Sequence, residues 1–98
     1  MHDAVQAFFD KEGYETVRKG KNVKGFFHAL GHGVGLDIHE NPFMRSKAPF
    51  KFKEGHVVTV EPGLYYLGLG GCRIEDVVHV ITGGNERISS APYKWEIK

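Results

Sequence analysis

Three histidines stand within twelve residues, at His28, His32 and His39, in a chain of 98 residues that holds six histidines in all. Further along, two glutamates sit in β-branched surroundings, Glu61 after VVTV and Glu75 after CRI. Neutral imidazole nitrogens combined with carboxylate oxygens form a donor set suited to Zn²⁺, Mn²⁺, Co²⁺ or Fe²⁺. Glycines on both sides of His32 (GHG) let backbone and ion approach it closely. A single histidine is more often structural than a ligand, but a triplet beside two strand-borne glutamates points to a site. The competing reading leaves both glutamates at strand ends, facing water.

The elements that must position these residues follow from hydrophobic patterning. HVVTVE, residues 56–61, and CRIEDVVHVI, residues 72–81, are the clearest strand signals, with Pro62-Gly63 stopping the first. Alternation places Val57, Thr59 and Glu61 on one face of the former. It places Arg73, Glu75, Val77 and His79 on one face of the latter. If the LYYLGLGG loop between them closes a hairpin-like pair, Glu61 and Glu75 converge near its mouth. Carboxylates brought together among apolar strands need a shared proton, a basic neighbour such as Arg73, or a bound cation.

GFFHAL, residues 25–30, reads as a short strand. Strand geometry would set His28 and His32, four apart, on one face, and the GVG step can turn the chain to bring His39 back. Asn41-Pro42 ends regular structure there, and residues 43–54 form a polar, Lys-rich connection. At the N-terminus, HDAVQAFFDKEG predicts an amphipathic helix with Ala4, Val5, Phe8 and Phe9 on its apolar face. Asp3 is its expected N-cap and Gly13 its C-terminal cap. Gly83-Gly84 predicts a tight turn, after which ERIS returns as a third strand. A helix followed by a mostly antiparallel sheet makes the fold class α+β.

Composition narrows the function classes. Thirteen Lys and Arg against 12 Asp and Glu give a net charge of +1, which excludes a global basic field for nucleic acid. No apolar run approaches the ~20 residues that span a bilayer, and no signal-peptide pattern follows Met1. One cysteine, Cys72, rules out an internal disulfide framework and fits a reducing compartment, so the expectation is a single soluble, cytoplasmic domain. Cys72 itself reads as a structural thiol. Arg18, Lys19, Lys21 and Lys24 read as a solvated loop or edge. GHGVG lacks the Lys-Ser/Thr of a phosphate loop, and HENPF lacks the second histidine of a zincin helix. Phe26, Phe27, Tyr65, Tyr66 and Trp95 are expected in the core or an interface, with Tyr65 or Tyr66 able to line a pocket.

Three segments in order, HALGHGVGLDIHENP, GHVVTVEPGLYY and GGCRIEDVVHV, resemble the C-terminal half of the catalytic domain of pita-bread metallopeptidases. That family includes methionine aminopeptidases, aminopeptidase P and Xaa-Pro dipeptidases (prolidases). EPGLYY with GGCRIEDVV resembles its proline-specific branch. The resemblance implies a metal-dependent hydrolase of Xaa-Pro peptide bonds, with two divalent ions, Mn or Co foremost and Zn or Fe as alternatives. It implies His32, Glu61 and Glu75 as metal ligands, Glu75 bridging the two ions. It implies His39 as the residue that contacts substrate and steadies the tetrahedral intermediate, His28 as an auxiliary histidine of the proline pocket, and Arg73 as the arginine beside the bridging glutamate. Glu61 is also the implied proton shuttle.

The chain departs from the pattern in one respect. The family's site takes two aspartates from earlier strands, and here Asp3, Asp10, Asp37 and Asp76 all fall outside that motif. Residues 1–98 therefore read as a single partial domain, carrying three ligands and at most one weakly bound ion, and inactive by itself. A missing N-terminal half, or a second copy, is the expected partner, covering an apolar sheet face. The alternatives are a non-catalytic pita-bread binding module and an inactive truncated fragment.

Overall fold

The computed structural model describes residues 1–94 and 96. The chain opens with α1 (His2–Lys11), which ends where Gly13 takes φ +88°. That left-handed residue lets the amides of Gly13 and Tyr14 bond back to the carbonyls of Asp10 and Phe9, at 3.1 and 2.9 Å. The start of the helix corrects the expectation. Met1 occupies the N-cap position, and Asp3 lies in the first turn, accepting the Lys47 amide at 3.3 Å. The inward stripe is rotated as well: His2, Val5 and Phe9 face the core, whereas Ala4 is exposed and Phe8 is 59% exposed. A polar residue claims the inward position, because His2 stacks on Phe26 at 4.8 Å between ring centroids and donates to the His28 carbonyl at 3.2 Å.

Seven strands follow among the described residues: β1 (Gly31–Gly33), β2 (Glu40–Met44), β3 (Val57–Val60), β4 (Gly63–Tyr66), β5 (Gly70–Arg73), β6 (Asp76–Ile81) and β7 (Gly84–Arg87). Five form one antiparallel sheet in the order β2-β1-β3-β6-β7, and β4 and β5 form a separate two-stranded ribbon. Strand structure begins at Gly31 rather than within 25–30. Phe26 and Leu30 are fully buried in irregular chain, tied down by main-chain bonds from Gly25 to Tyr65 and from Leu30 to Met44, both 2.8 Å. The expected LYYLGLGG loop is mostly the ribbon, with Leu64 opposite Cys72 and Tyr65 opposite Gly71. The strand expected over 72–81 breaks at Ile74 and Glu75, where the chain passes from the ribbon to the main sheet. Pro42 does not end regular structure but lies inside β2, an edge strand, where a missing N–H can face away from the ladder. The β6–β7 turn is Thr82-Gly83, since Gly84 already pairs with Ile81.

Phe26, Leu30, Met44 and Val58 form the buried core, with Val5, Phe9, Phe50, Phe52, Val60, Leu64 and Val78 packed around them. The helix joins this cluster through Phe9, whose ring meets Phe26 edge-on at 5.6 Å. Phe27 is exposed, Tyr65 and Tyr66 are half-buried, and Trp95 lies outside the described residues. Strand alternation sends Val58, Val60, Val78 and Val80 to one sheet face, where with Met44 and Phe52 they line an open apolar groove of about 670 Å³. Thr59 and Glu61 alternate to the opposite face.

Candidate metal centre

His32 sits at the middle of β1, between the two neighbouring strands β2 and β3. Its flanking glycines are required by close approach. A Cβ on Gly31 would lie 1.8 Å from the Thr59 carbonyl oxygen, and one on Gly33 would lie 2.1 Å from that of Asn41. The His32 amide donates to Thr59 Oγ1 at 3.0 Å, and the ring Nδ1 lies 2.9 Å from the Gly33 carbonyl oxygen. A carbonyl only accepts, so Nδ1 carries the proton and Nε2 presents a lone pair. That lone pair is 3.2 Å from Glu61 Oε1.

Glu61 follows β3 directly, and its amide donates to the Leu30 carbonyl at 2.7 Å. Its Oε1 also accepts the Thr59 hydroxyl at 3.0 Å. The register that pairs Val60 with Asp76 sets Glu75 across from Glu61. Arg73, half exposed, holds its Nε 3.4 Å from Glu75 Oε2 and 3.8 Å from Glu61 Oε2. A hydrogen bond with Tyr65, then the Glu75 and Glu61 carboxylates, raise the pKa of this guanidinium further.

One ligand atom each from His32, Glu61 and Glu75 lie within 4.8 Å of one another. Among the described residues none of the four aspartates joins this group. Asp76 instead accepts hydrogen bonds from Ser89 and Tyr93, which with nearby Arg87 hold its carboxyl below the usual carboxylate range. An imidazole lone pair facing a carboxylate at hydrogen-bond distance calls for a cation, either a second ring proton or a metal ion. One nitrogen and two carboxylates also suit a divalent transition metal. The donor set therefore fits a divalent ion.

The group opens into a cavity of about 670 Å³ lined by His28, His32, His39, Glu61, Tyr65 and Arg73. His39 is exposed on the turn after β1, and its ring packs edge-on against His32 at 4.6 Å and 87°. The His28 Nδ1 donates to the Ala29 carbonyl at 2.7 Å, which leaves Nε2 to accept the Tyr65 hydroxyl at 3.2 Å. The structure thus gathers all six side chains singled out in the sequence around one place. It adds three more. Thr59 links His32 to Glu61; Phe43 and Arg45 complete the cavity wall, the guanidinium lying 4.5 Å over the Phe43 ring. Alternation already put Thr59 on the face of Glu61, as a polar residue in a valine run. No local pattern marks Phe43 or Arg45, which follow a proline in a Lys-rich stretch. Cys72 is a free, exposed thiol in the ribbon, so it does not serve the core.

Residues 1–82 match the family described as metallopeptidase family M24. The chain belongs to that family. Over 64 residues it is 50% identical to the Xaa-Pro dipeptidase of Pyrococcus furiosus, covering 65% of this chain and 18% of that protein. Over 93 residues it is 49% identical to an uncharacterised peptidase of Methanocaldococcus jannaschii, covering 83% of this chain and 27% of that one. The solved Xaa-Pro dipeptidase from Bacillus anthracis superposes with a TM-score of 0.80 at 38% identity, over 95% of this chain and 24% of that one. The prolidase from Pyrococcus furiosus gives 0.78 at 38% identity, over 93% and 25%. The architecture is therefore the α+β pita-bread fold of M24 peptidases, and the chain spans between 18% and 27% of these relatives' lengths.

Proposed function

We propose that this M24 chain carries the His/Glu/Glu part of a dinuclear site for hydrolysis of Xaa-Pro peptide bonds, in dipeptides or short peptides. The observation that supports this most directly is the convergence of His32 Nε2 with the Glu61 and Glu75 carboxylates, on a fold shared with Xaa-Pro dipeptidases. His32, Glu61 and Glu75 would hold the ion, with Mn²⁺ or Co²⁺ as the favoured occupant. A divalent ion bound there supplies Lewis acidity, polarising a scissile carbonyl and acidifying water.

The protein's own residues do the rest. Glu61, which accepts the Thr59 hydroxyl, is the residue that takes a proton from an attacking water and returns it to the leaving nitrogen. His39, exposed in the cavity and steadied by its edge contact with His32, donates to the oxygen that gains charge. His28 has both ring nitrogens engaged and acts as a fixed wall of the substrate cavity with Tyr65 and Phe27. Arg73 offsets the charge of two neighbouring carboxylates and borders the substrate cavity.

Three ligands without an aspartate hold one ion weakly, so the reading is that this chain alone turns over little or no substrate. The apolar groove is then covered either by a second copy or by the part of the longer relatives that lies outside the matched 18–27%. An exposed, unpaired Cys72 supports a reducing compartment such as the cytoplasm. No helix among the described residues is long and apolar enough to cross a membrane.

The test pairs metal titration with hydrolysis of an Xaa-Pro dipeptide in Mn²⁺ or Co²⁺, with His32→Ala as control. One ion per chain, lost in the control, without turnover above the control, is the expected result. Turnover that disappears in the control would show that other groups, across an oligomer interface, replace the aspartates. Light scattering that finds a stable monomer at high dilution would exclude the second copy.

A further inference from the structure

Thr59 lies in a run of valines, is 4% exposed, and sits where a fourth valine would satisfy both strand propensity and burial. Its hydroxyl instead makes two hydrogen bonds of opposite sense. Oγ1 accepts the His32 amide at 3.0 Å and donates to Glu61 Oε1 at 3.0 Å. Both partners belong to the metal-ligand group, His32 from β1 and Glu61 from the residue that follows β3. We infer that Thr59 is a positioning residue that sets the separation and orientation of His32 and Glu61 before an ion binds.

Three features carry this. The single hydroxyl proton is committed to Glu61, because the His32 amide already supplies a proton to the same oxygen. The Glu61 carboxylate therefore loses rotational freedom: Oε1 is held by Thr59 and Nε2 of His32 lies 3.2 Å away. The His32 backbone is fixed by the same atom, so movement of β1 relative to β3 is transmitted to both ligands together. β-Branching adds to the effect, since two heavy atoms on the Thr59 Cβ restrict its rotamers and the hydroxyl turns only if the buried methyl moves with it. Residues that orient a metal's ligands in this way contribute roughly 10–100-fold to metal affinity in other proteins.

The inference rests on the metal reading above, and the experiment separates the two. Mn²⁺ binding is measured by calorimetry on the full chain for wild type, Thr59→Val and Thr59→Ser, with circular dichroism confirming folding. Hydrogen exchange of the His32 amide is followed in the same samples without metal. Thr59→Val keeps the shape and removes the hydroxyl; the expected result is at least about tenfold weaker Mn²⁺ binding and faster exchange at His32. Thr59→Ser restores the hydroxyl, and the expected affinity lies within about threefold of wild type. A folded Thr59→Val that binds Mn²⁺ as wild type does overturns the inference. If Thr59→Val unfolds, the Ser variant decides alone: loss of affinity in a folded Thr59→Ser, which keeps the hydroxyl, also overturns it. Wild type that binds no Mn²⁺ overturns the metal reading, and this inference with it.

Discussion

Gly31→Ala is the perturbation through which the site's geometry is most directly exposed to measurement. The added Cβ would sit 1.8 Å from the Thr59 carbonyl oxygen, where real Cβ atoms keep at least 3.0 Å, and 2.5 Å from Met44 Cε. Met44 is the end of a flexible side chain and can move, but the Thr59 carbonyl is backbone, so β1 and β3 must part by about 1 Å. That displacement acts on the bonds from the His32 amide to Thr59, at 3.0 Å, and from the Glu61 amide to the Leu30 carbonyl, at 2.7 Å. Overpacking costs about 1–3 kcal/mol and each weakened hydrogen bond about 1 kcal/mol, giving about 3–5 kcal/mol in all. For a domain whose total stability is on the order of 5–15 kcal/mol, this is a large share. In thermal unfolding followed by circular dichroism, the midpoint should drop by about 12–40 °C. Gly84→Ala is the internal control, since a Cβ there meets none of the described residues within 4 Å, and it should stay within about 0.5 kcal/mol of wild type. A Gly31→Ala midpoint within about 3 °C of wild type would refute the close-approach reasoning.

Two further outcomes are expected. Free Mn²⁺ at a hundred times its Kd should stabilise the chain by about 2.7 kcal/mol, read as a higher thermal midpoint that a chelator reverses. Equal stabilisation of His32→Ala would place the ion elsewhere. Stability should also fall in acid because of Asp76, whose carboxyl is held below its ordinary value by bonds from Ser89 and Tyr93. The sign follows from linkage: a depressed folded pKa contributes fully above the unfolded value of about 3.9 and is lost as pH falls through the folded one. Asp76→Asn should flatten the decline below about pH 4, and an unchanged acid limb would contradict the assignment.

What was legible in the sequence was whatever two neighbouring strands decide between themselves. The valine alternation of β3 and β6 fixes their faces, and one antiparallel register then sets Glu61 opposite Glu75. GHG likewise announces a histidine at a crowded place. What escaped depends on distant partners. Phe26 and Leu30 are apolar because they fill the core beside α1, and that burial resembles strand burial in sequence. His2 faces inward because an aromatic ring and a carbonyl await it there. Residues 72–81 have continuous strand propensity, so only pairing with β4 on one side and β3 on the other shows the change of sheet at Ile74 and Glu75. Pro42 is tolerated because β2 lies at an edge, a property of the assembled sheet.

The two edges of the five-stranded sheet bear on how the chain behaves in concentrated solution. One edge, β2, carries Pro42, which offers no amide to an incoming strand, and β2 is followed by the charged Arg45 and Lys47. The other, β7, is only four residues long, exposed throughout, and ends in Glu86 and Arg87. Proline, brevity and charge are the devices that keep exposed edges from recruiting further strands into fibrils. Cross-β growth is therefore disfavoured at both ends of the sheet. Aggregates that do form should be amorphous, held by the valine-lined face, and should dissolve when mild detergent covers that face rather than persist as thioflavin-positive fibres.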